Sequence, residues 1–192
     1  SGLLTVYGIE ELLGYDGLYP ARIMRFIGDI SRPAWKTLAP ALAVGYYLHD
    51  PRLKPLFPLK EEPERFERLG EFDGLEVYRD RRAMRHAYLV PEARVVDSFE
   101  EMVAIAETPG FDPSRTALIE TPLSESLPGT AFPPGAALAT VVSRGFTRAT
   151  VEVEAPQASI LVMADSYYPG WKAYIDGRRV EVFPVFHVLR GV

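Results

Sequence analysis

The 192-residue sequence contains no cysteine and no asparagine. Without cysteine, the chain has no disulfide, no thiolate nucleophile and no cysteine-ligated zinc. Without asparagine, it has no acceptor for N-glycosylation. Lysine is scarce as well, with 4 Lys against 17 Arg. We attribute this bias to G+C-rich coding rather than to heat adaptation, because thermophile composition favours Lys and Glu.

Basic patches and long apolar runs are also missing. The net charge is -5, with Lys and Arg spread along the chain, so we expect no nucleic-acid partner. The longest apolar run, residues 38–48, is too short to span a bilayer, and no signal peptide is present. These absences predict a soluble chain. Because it starts at Ser1-Gly2 without a methionine, we expect a piece of a larger protein.

The first 125 residues mix helical and strand patterns. The clearest helix lies over residues 97–108, where Asp97 or Ser98 can cap it and Glu100 and Glu101 suit its positive N-terminal end. The other segments predict a loop at 14–20, helices at 20–30 and before Pro40, strands at 43–50, 84–91 and 116–120, and two strands in 66–80 that meet at Asp73-Gly74.

The C-terminal third carries β-strand signals. The apolar segment 158–165 predicts a central strand that is covered on both faces. Asp176-Gly177 can supply the positive φ angles of a two-residue hairpin turn, and we expect Pro184 to end the returning strand. Trp171 falls on the inward face of the outgoing strand, where a tryptophan usually belongs to the core.

Residues 121–137 are rich in Pro, Ser and Gly, which predicts a long loop or linker. We therefore expect an α+β fold in two portions. Residues 1–125 form a partly helical N-terminal lobe, and residues 126–192 form an antiparallel β-sandwich of jelly-roll or immunoglobulin-like character. The two portions can pack as one compact unit.

The best candidates for ligand contact follow the segment 158–165. Tyr167, Tyr168 and Trp171 could form a platform on which sugar rings stack, although core and hairpin packing explains the same residues and is the interpretation we favour. Neighbouring side chains alternate in an extended stretch, so Tyr167 and Tyr168 cannot both point inward. Asp165 and Arg190 are candidate polar partners, and a turn-capping role also explains Asp165.

No sequence motif assembles a catalytic or metal site. His49, His86 and His187 lie outside any HExxH spacing, which favours structural or surface roles. No phosphate-binding glycine motif and no GxSxG elbow occurs. We therefore assign no catalytic residue, no metal and no cofactor. A hydrolase that uses Asp165 and Asp176 stays open as a less favoured alternative, because glycoside hydrolysis needs two facing carboxylates.

The C-terminal segment "DSYYPGWKAYIDGRRVEVFPVFHVLRGV" resembles the end of the YfhO-like family of bacterial polytopic membrane proteins, which are related to GT-C-type glycosyltransferases. That family carries Asp-x-Tyr-Tyr-Pro-Gly-Trp-x-Ala-x-x-Asp-Gly, then a strand, an aromatic residue and Arg-Gly-Val. Segments 14–27, 42–50 and 74–91 resemble family segments in the same order. The matching residues of the C-terminal motif are Asp165, Tyr167, Tyr168, Pro169, Gly170, Trp171, Ala173, Asp176, Gly177, Arg190, Gly191 and Val192.

The resemblance implies a large parent protein, in which many membrane helices precede a domain on the outer face of the cytoplasmic membrane. Such a parent would transfer a sugar from a lipid-linked donor to an extracytoplasmic acceptor. The GT-C-type catalytic carboxylates belong to early loops of the membrane part, and no residue of this chain matches them. Family members continue beyond Arg-Gly-Val, whereas this sequence ends at Val192, so we expect an unpaired sheet edge that invites self-association.

The sequence thus supports two main hypotheses. The first is a non-catalytic extracytoplasmic domain that binds or orients a cell-envelope glycan, or braces its own membrane domain. The second is a structural or protein-interaction module without a small-molecule ligand. An exposed aromatic groove beside a carboxylate and an arginine would favour the first hypothesis, and buried aromatics would favour bracing.

Overall fold

The computed structural model describes residues 21–145 and 147–192, so the loop predicted at residues 14–20 lies outside the described residues. The helices of the described residues are α1 (Ala21–Asp29), α2 (Arg32–Leu38) and α3 (Phe99–Glu107). The strands are β1 (Tyr46–His49), β2 (Phe66–Phe72), β3 (Leu75–Asp80), β4 (Ala87–Val90), β5 (Glu92–Val95), β6 (Thr116–Ile119), β7 (Leu138–Arg144), β8 (Ala149–Glu154), β9 (Ile160–Ser166), β10 (Ala173–Ile175), β11 (Arg178–Val180), β12 (Phe183–Val185) and β13 (Leu189–Gly191). The predicted α+β class is confirmed, with a core that is rich in sheet.

A six-stranded mixed sheet has the order β4-β9-β13-β12-β6-β5. Its neighbouring strands are antiparallel except β5 and β6, which run parallel from Glu92 opposite Thr116 to Val95 opposite Ile119. Helix α3 connects this parallel pair, because parallel neighbours need a crossover rather than a tight turn. Strand β9 lies between β4 and β13, which confirms the central position predicted for segment 158–165.

The six-stranded sheet takes strands from both sides of residue 125. Strands β4, β5 and β6 precede that residue, and β9, β12 and β13 follow it, so the two predicted portions share one sheet. Among the described residues, β4 and β5 form the edges of this sheet, and the last strand β13 is interior. The open edge expected at the end of the chain therefore does not lie at β13. Self-association through an edge stays a prediction.

A second, three-stranded antiparallel sheet has the order β1-β3-β2 and packs with α2 around an aromatic core. The ring of Trp35 lies 6.5 Å from that of Phe57, and Tyr47 meets Phe66 edge-on at 5.4 Å. At the end of β3, Asp80 accepts two hydrogen bonds from the Arg65 guanidinium, at 3.0 and 2.8 Å. Both side chains are almost fully buried.

Local capping chemistry sets the helix ends. The Ser98 hydroxyl accepts a hydrogen bond from the Glu101 amide at 3.1 Å, and the Glu101 carboxylate accepts one from the Asp97 amide at 2.8 Å. The bond from Glu101 to the Ser98 hydroxyl selects Ser98 from the two predicted caps of α3. Ser31 caps α2 in the same way through the Ala34 amide, and α2 ends before Pro40 as predicted.

Two hairpin turns follow directly from their Asp-Gly dipeptides. Asp73-Gly74 joins β2 to β3, Asp176-Gly177 joins β10 to β11, and all four residues have positive φ angles. Both predicted turns are confirmed. The expected role of Pro184 is wrong, because β11 already ends at Val180 and Pro184 lies within β12. Pairing of β12 with β6 involves only the following residue, Val185.

Two ribbons lie outside the larger sheets. Strands β7 and β8 pair only with each other, as do β10 and β11, within the part of the chain that the structure describes. Residues 121–137 contain no helix or strand, as predicted for a long loop. The described helices are at most nine residues long, and none is long and apolar enough to cross a membrane.

Candidate functional site

The five candidate residues lie near the end of β9, beside β13. Asp165 is the second-last residue of β9, Tyr167 and Tyr168 follow that strand, and Arg190 belongs to β13. The register between the two strands passes from Ser166 opposite Leu189 to Met163 opposite Arg190. This β-bulge leaves Asp165 without a direct partner on β13. Bulges redirect side chains, and here the irregularity accompanies the approach of Arg190 to Asp165.

Asp165 is the centre of a charged cluster. Arg144 Nη2 on β7 donates a hydrogen bond to its Oδ1 at 2.5 Å, and Arg190 Nη2 lies 2.7 Å from its Oδ2. His86 Nε2 lies 3.2 Å from Oδ1. The backbone carbonyl of His86 accepts a bond from the Ala164 amide, which fixes this histidine beside β9. We call Asp165, His86, Arg144 and Arg190 the Asp165 cluster.

The surroundings of Asp165 keep it ionised. Burial by itself would raise the pKa of this carboxyl, but contacts with His86, Arg190 and Arg144 outweigh burial and lower the pKa to about 2. Neighbouring cations favour the charged form of a carboxylate in this way. At neutral pH, Asp165 can therefore accept hydrogen bonds but cannot donate a proton.

Arg190 joins the cluster to Trp171. Its guanidinium carbon lies 4.0 Å from the centre of the indole ring, a cation–π contact at short range. Burial and the neighbouring Arg144 lower the pKa of Arg190, although Asp165 acts in the opposite direction, and a guanidinium remains protonated at any physiological pH. Trp171 is half-buried, and Arg190 covers one face of its indole. Because Trp171 is half-buried, part of its indole remains accessible to a ligand.

The two adjacent tyrosines differ, as alternation predicts. Tyr167 is half-buried, and its ring lies under the guanidinium of Arg22 at 5.6 Å. Its amide donates a hydrogen bond to the Val188 carbonyl at 2.6 Å. Tyr168 has 59% of its surface exposed. The structure thus groups Asp165, Arg190 and Trp171. Tyr168 follows β9 and is exposed to solvent, whereas the ring of Tyr167 lies in a different cluster, beside Arg22.

That second cluster joins α1 to the six-stranded sheet. Arg22 Nη1 donates to Glu120 Oε1 at 2.7 Å and to the His187 carbonyl at 2.9 Å, and Arg22 Nη2 donates to Glu120 Oε2. His187 Nδ1 lies 2.8 Å from Glu120 Oε1. Burial would raise the pKa of Glu120, but Arg22 and His187 lower it overall. We call Arg22, Glu120 and His187 the Glu120 cluster.

His187 occupies a position that the sequence did not signal. It follows Phe186 in the turn between β12 and β13, and both residues have positive φ angles, of 69° and 47°. Such angles are uncommon for residues other than glycine, and packing must enforce them here because both side chains are buried. Burial lowers the pKa of His187, so the imidazole resists protonation.

The site geometry gives no separate support for hydrolytic or metal chemistry. Asp176 lies in the β10–β11 turn, where its positive φ already explains the residue. Within residues 21–145 and 147–192, no three His, Asp or Glu side chains are placed to hold a metal ion. A surface groove of about 600 Å³ lies over β5 and β6, lined by Glu92, Arg94, Phe111 and Leu127 among others, and none of the candidate residues lines it.

The chain matches no protein-family model, no curated protein and no solved structure. Its function must therefore be inferred from the site itself.

Proposed function

We propose that this chain is a non-catalytic domain that binds or orients a cell-envelope glycan. Arg190, held in place by Asp165, would contact polar groups of the sugar, and Tyr168 and Trp171 would stack on the apolar faces of sugar rings. Aromatic faces combined with a few convergent polar groups are typical of sites for polar ligands. The proposal assigns no bond-making step to this domain.

The observation that carries the proposal is the convergence of Asp165, Arg190 and Trp171. The carboxylate lies 2.7 Å from the guanidinium, which in turn lies 4.0 Å from the indole. Asp165 and Arg190 are mostly buried, whereas Trp171 is half-buried and Tyr168, three residues before it in the sequence, is mostly exposed. An aromatic surface beside a carboxylate and an arginine is the arrangement that favours binding over bracing.

A glycoside hydrolase has less support. Such an enzyme needs one carboxyl group with a raised pKa that protonates the leaving group. Asp165 has the opposite property, since its pKa falls to about 2. Its lone pairs are also directed at cations rather than at an open cleft. A binding role uses these same features without conflict.

The cellular setting of the proposal rests on the family resemblance. We infer a parent membrane protein of glycosyltransferase type, whose extracytoplasmic face carries this domain. Its own membrane domain would then be a partner within the same chain. We also infer that the C-terminal portion is a β-sandwich, in which the ribbon of β7 and β8 forms part of the second layer. Strand β7 of this ribbon lies close to β4, the edge strand of the six-stranded sheet.

Tryptophan fluorescence tests the binding role. The chain is titrated with solubilised peptidoglycan and with capsular polysaccharide, and we expect a saturable change from Trp171. Tyr168→Ala should weaken binding by at least about fivefold, because an exposed aromatic at the centre of a contact commonly contributes more than 1 kcal/mol. Tyr46→Ala is the matched control, since Tyr46 is equally exposed, at 64%, and lies on the other sheet. Equal effects of the two substitutions would contradict the proposal.

A second candidate function is a structural or protein-interaction module. The outer face of the three-stranded sheet exposes several apolar side chains, and Phe72 at the hairpin tip is 79% exposed. Exposed apolar patches commonly mark interaction surfaces. If no envelope glycan changes the fluorescence, this candidate gains support. The exposed apolar residues of this face and the adjoining loop are Tyr46, Leu48, Leu53, Leu56, Leu69 and Phe72.

A further inference from the structure

Arg190 has more donor capacity than the protein uses. A guanidinium carries five N–H donors in a planar fork that suits carboxylate and phosphate oxygens. Arg190 forms an ion pair with Asp165 and stacks on Trp171, but its N–H groups make no aligned hydrogen bond to any described residue. Its Nε is buried without a partner, and the side chain as a whole is 16% exposed. An arginine held in place with unused donors is suited to a bound anion.

Asp165 cannot satisfy all the cations around it. Its Oδ1 accepts the aligned hydrogen bond from Arg144, and Arg190 and His86 approach the same carboxylate without one. The Nε2 atom of His86 is also buried without a hydrogen-bond partner, although it lies 3.2 Å from Oδ1. The carboxylate therefore positions Arg190 by charge but leaves its hydrogen-bonding capacity open.

Other arginines of the protein show what a satisfied guanidinium looks like. Arg65 donates two hydrogen bonds to Asp80. Arg22 donates to both oxygens of Glu120 and to the carbonyl of His187. Arg190 is as close to its carboxylate as these residues are, and it is mostly buried, yet its donors stay unfilled. Buried polar groups normally find partners, so the missing acceptor is informative.

We propose that Arg190 binds the oxyanion of an acidic ligand, namely a carboxylate- or phosphate-bearing sugar whose ring lies against Trp171 and Tyr168. This inference rests on the proposed glycan-binding function and names the class of glycan. Charge-assisted hydrogen bonds to an oxyanion are about twice as strong as those to neutral hydroxyls. An acidic sugar therefore uses Arg190 better than a neutral sugar does. Asp165 acts as a positioning residue that competes with the ligand for the same guanidinium.

The experiment compares matched probes by isothermal titration calorimetry. Sodium glucuronate and glucose share a ring and differ in the carboxylate, and inorganic phosphate supplies an oxyanion without a sugar. We expect glucuronate and phosphate to bind at millimolar concentrations and glucose to bind at least about tenfold more weakly. Raising the salt concentration should weaken glucuronate binding, because the contact is ionic.

Variants of the cluster give effects of opposite sign. Arg190→Gln should weaken glucuronate and phosphate binding by about tenfold. Asp165→Asn should strengthen phosphate binding, because it removes both the competing carboxylate and its repulsion. Arg79→Gln is the matched control, since Arg79 is paired with Glu67 in the three-stranded sheet. Circular dichroism checks that each variant is folded, and the more exposed Arg144→Gln, which should also weaken phosphate binding, replaces Arg190→Gln if that variant unfolds.

The outcomes distinguish failure of the oxyanion site from failure of glycan binding. Glucose binding as tight as glucuronate binding overturns the oxyanion site and leaves glycan binding intact. Phosphate binding that Arg190→Gln weakens, with no response to any sugar, supports the oxyanion site and contradicts glycan binding. Equal losses in Arg190→Gln and Arg79→Gln, or weaker phosphate binding in Asp165→Asn, overturn the role of Arg190. No response to any probe contradicts both proposals.

Discussion

Glu120 and Asp165 are two carboxylates with the same kinds of partners, but they differ in how many aligned hydrogen bonds they accept from those partners. Each lies beside an arginine and a histidine, and each has a lowered pKa. Both oxygens of Glu120 accept aligned hydrogen bonds from Arg22, which also binds the carbonyl of His187. Asp165 meets Arg190 and His86 at close range without such bonds.

This difference indicates that the Glu120 cluster stabilises the fold and that the Asp165 cluster is a candidate binding site. The Glu120 cluster joins residues 98 and 165 positions apart in sequence and holds α1 against the sheet. The Arg22 guanidinium and both Glu120 oxygens are used within the protein, so an anion would gain little there, although His187 Nε2 is buried without a hydrogen-bond partner. In the Asp165 cluster, N–H donors of Arg190 lack aligned acceptors and lie beside the Trp171 ring. A ligand could supply those acceptors. The contrast predicts that stability depends on the first cluster and binding on the second.

The largest expected effect concerns the strand that carries Arg190. In Gly191→Ala, the new methyl group would lie 2.5 Å from Val185 Cγ2 and 2.7 Å from Phe183 Cε2. Overpacking of this kind should lower the free energy of unfolding by about 3 kcal/mol. Chemical denaturation measures the change. Gly28→Ala in α1 is the control, because its methyl group meets nothing within 4 Å and should stabilise the helix slightly. A neutral Gly191→Ala would show that β13 is loosely held.

The second-largest expected effect is the loss of stability on replacing Arg22, which should exceed the loss on replacing Arg190. Arg22→Gln removes charged hydrogen bonds and should lower the free energy of unfolding by about 2 kcal/mol. Arg190→Gln removes an ion pair and a cation–π contact but no aligned hydrogen bond, and it should cost less than Arg22→Gln. Urea denaturation of both variants at neutral pH measures the difference. If Arg190→Gln proved the more destabilising, Arg190 would be a structural residue and the comparison would break down.

The pH dependence of stability should separate the clusters. A depressed histidine pKa means that the unfolded chain binds the proton more tightly, so His187 lowers stability as pH falls through its unfolded value of about 6.5. Asp165, whose pKa is lowered from 3.8 to about 2, contributes about 2 kcal/mol above pH 4. That contribution is lost as pH falls from 4 to 2.

Two variants assign these pH windows. His187→Gln should flatten the stability profile between pH 7 and 5, and Asp165→Asn should flatten it below pH 4, where Glu120 also contributes. Thermal unfolding followed by circular dichroism across the pH range measures both. If both substitutions flattened the stability profile over the same pH range, the two clusters would titrate as one unit.

The smallest expected effect is that of Tyr168→Ala on stability. Tyr168 is mostly exposed, and an exposed substitution usually changes the free energy of unfolding by no more than about 0.5 kcal/mol. A thermal-unfolding curve that overlays that of the wild type is the expected result. This variant then separates binding from folding, which variants of the buried cluster members cannot do. A marked loss of stability would place Tyr168 in the core.

Local chemistry made part of the fold predictable from the sequence. Asp73-Gly74 and Asp176-Gly177 turn the chain because these dipeptides accept positive φ angles without help from packing. Ser98 caps α3 through contacts within four residues of it. The parallel pair β5–β6 was missed, since β5 is short and half exposed and its partner lies beyond a helix. The turn at Phe186-His187 was missed because packing alone imposes it.

The same distinction holds for the site. Alternation along the chain predicted that only one of Tyr167 and Tyr168 points inward, and Tyr168 is exposed. The sequence indicates Asp165, Trp171 and Arg190 as candidates, but their grouping depends on β9 and β13 lying side by side. His86 directly precedes β4 and Arg144 ends β7, so they lie 79 and 21 residues before Asp165 in the sequence. No local pattern connects them, so only the fold could identify them.

The two tryptophans allow the most direct test of the central claim that Trp171 lies in a binding site. Trp35 is buried in the core, 8% exposed, and serves as an internal control for Trp171. In a ¹⁵N-labelled sample, the indole resonances are assigned with Trp171→Phe and followed while glucuronate is added. The account predicts a saturable shift of the Trp171 indole while the Trp35 indole stays in place. Two unmoved resonances, or two that shift alike, would contradict it.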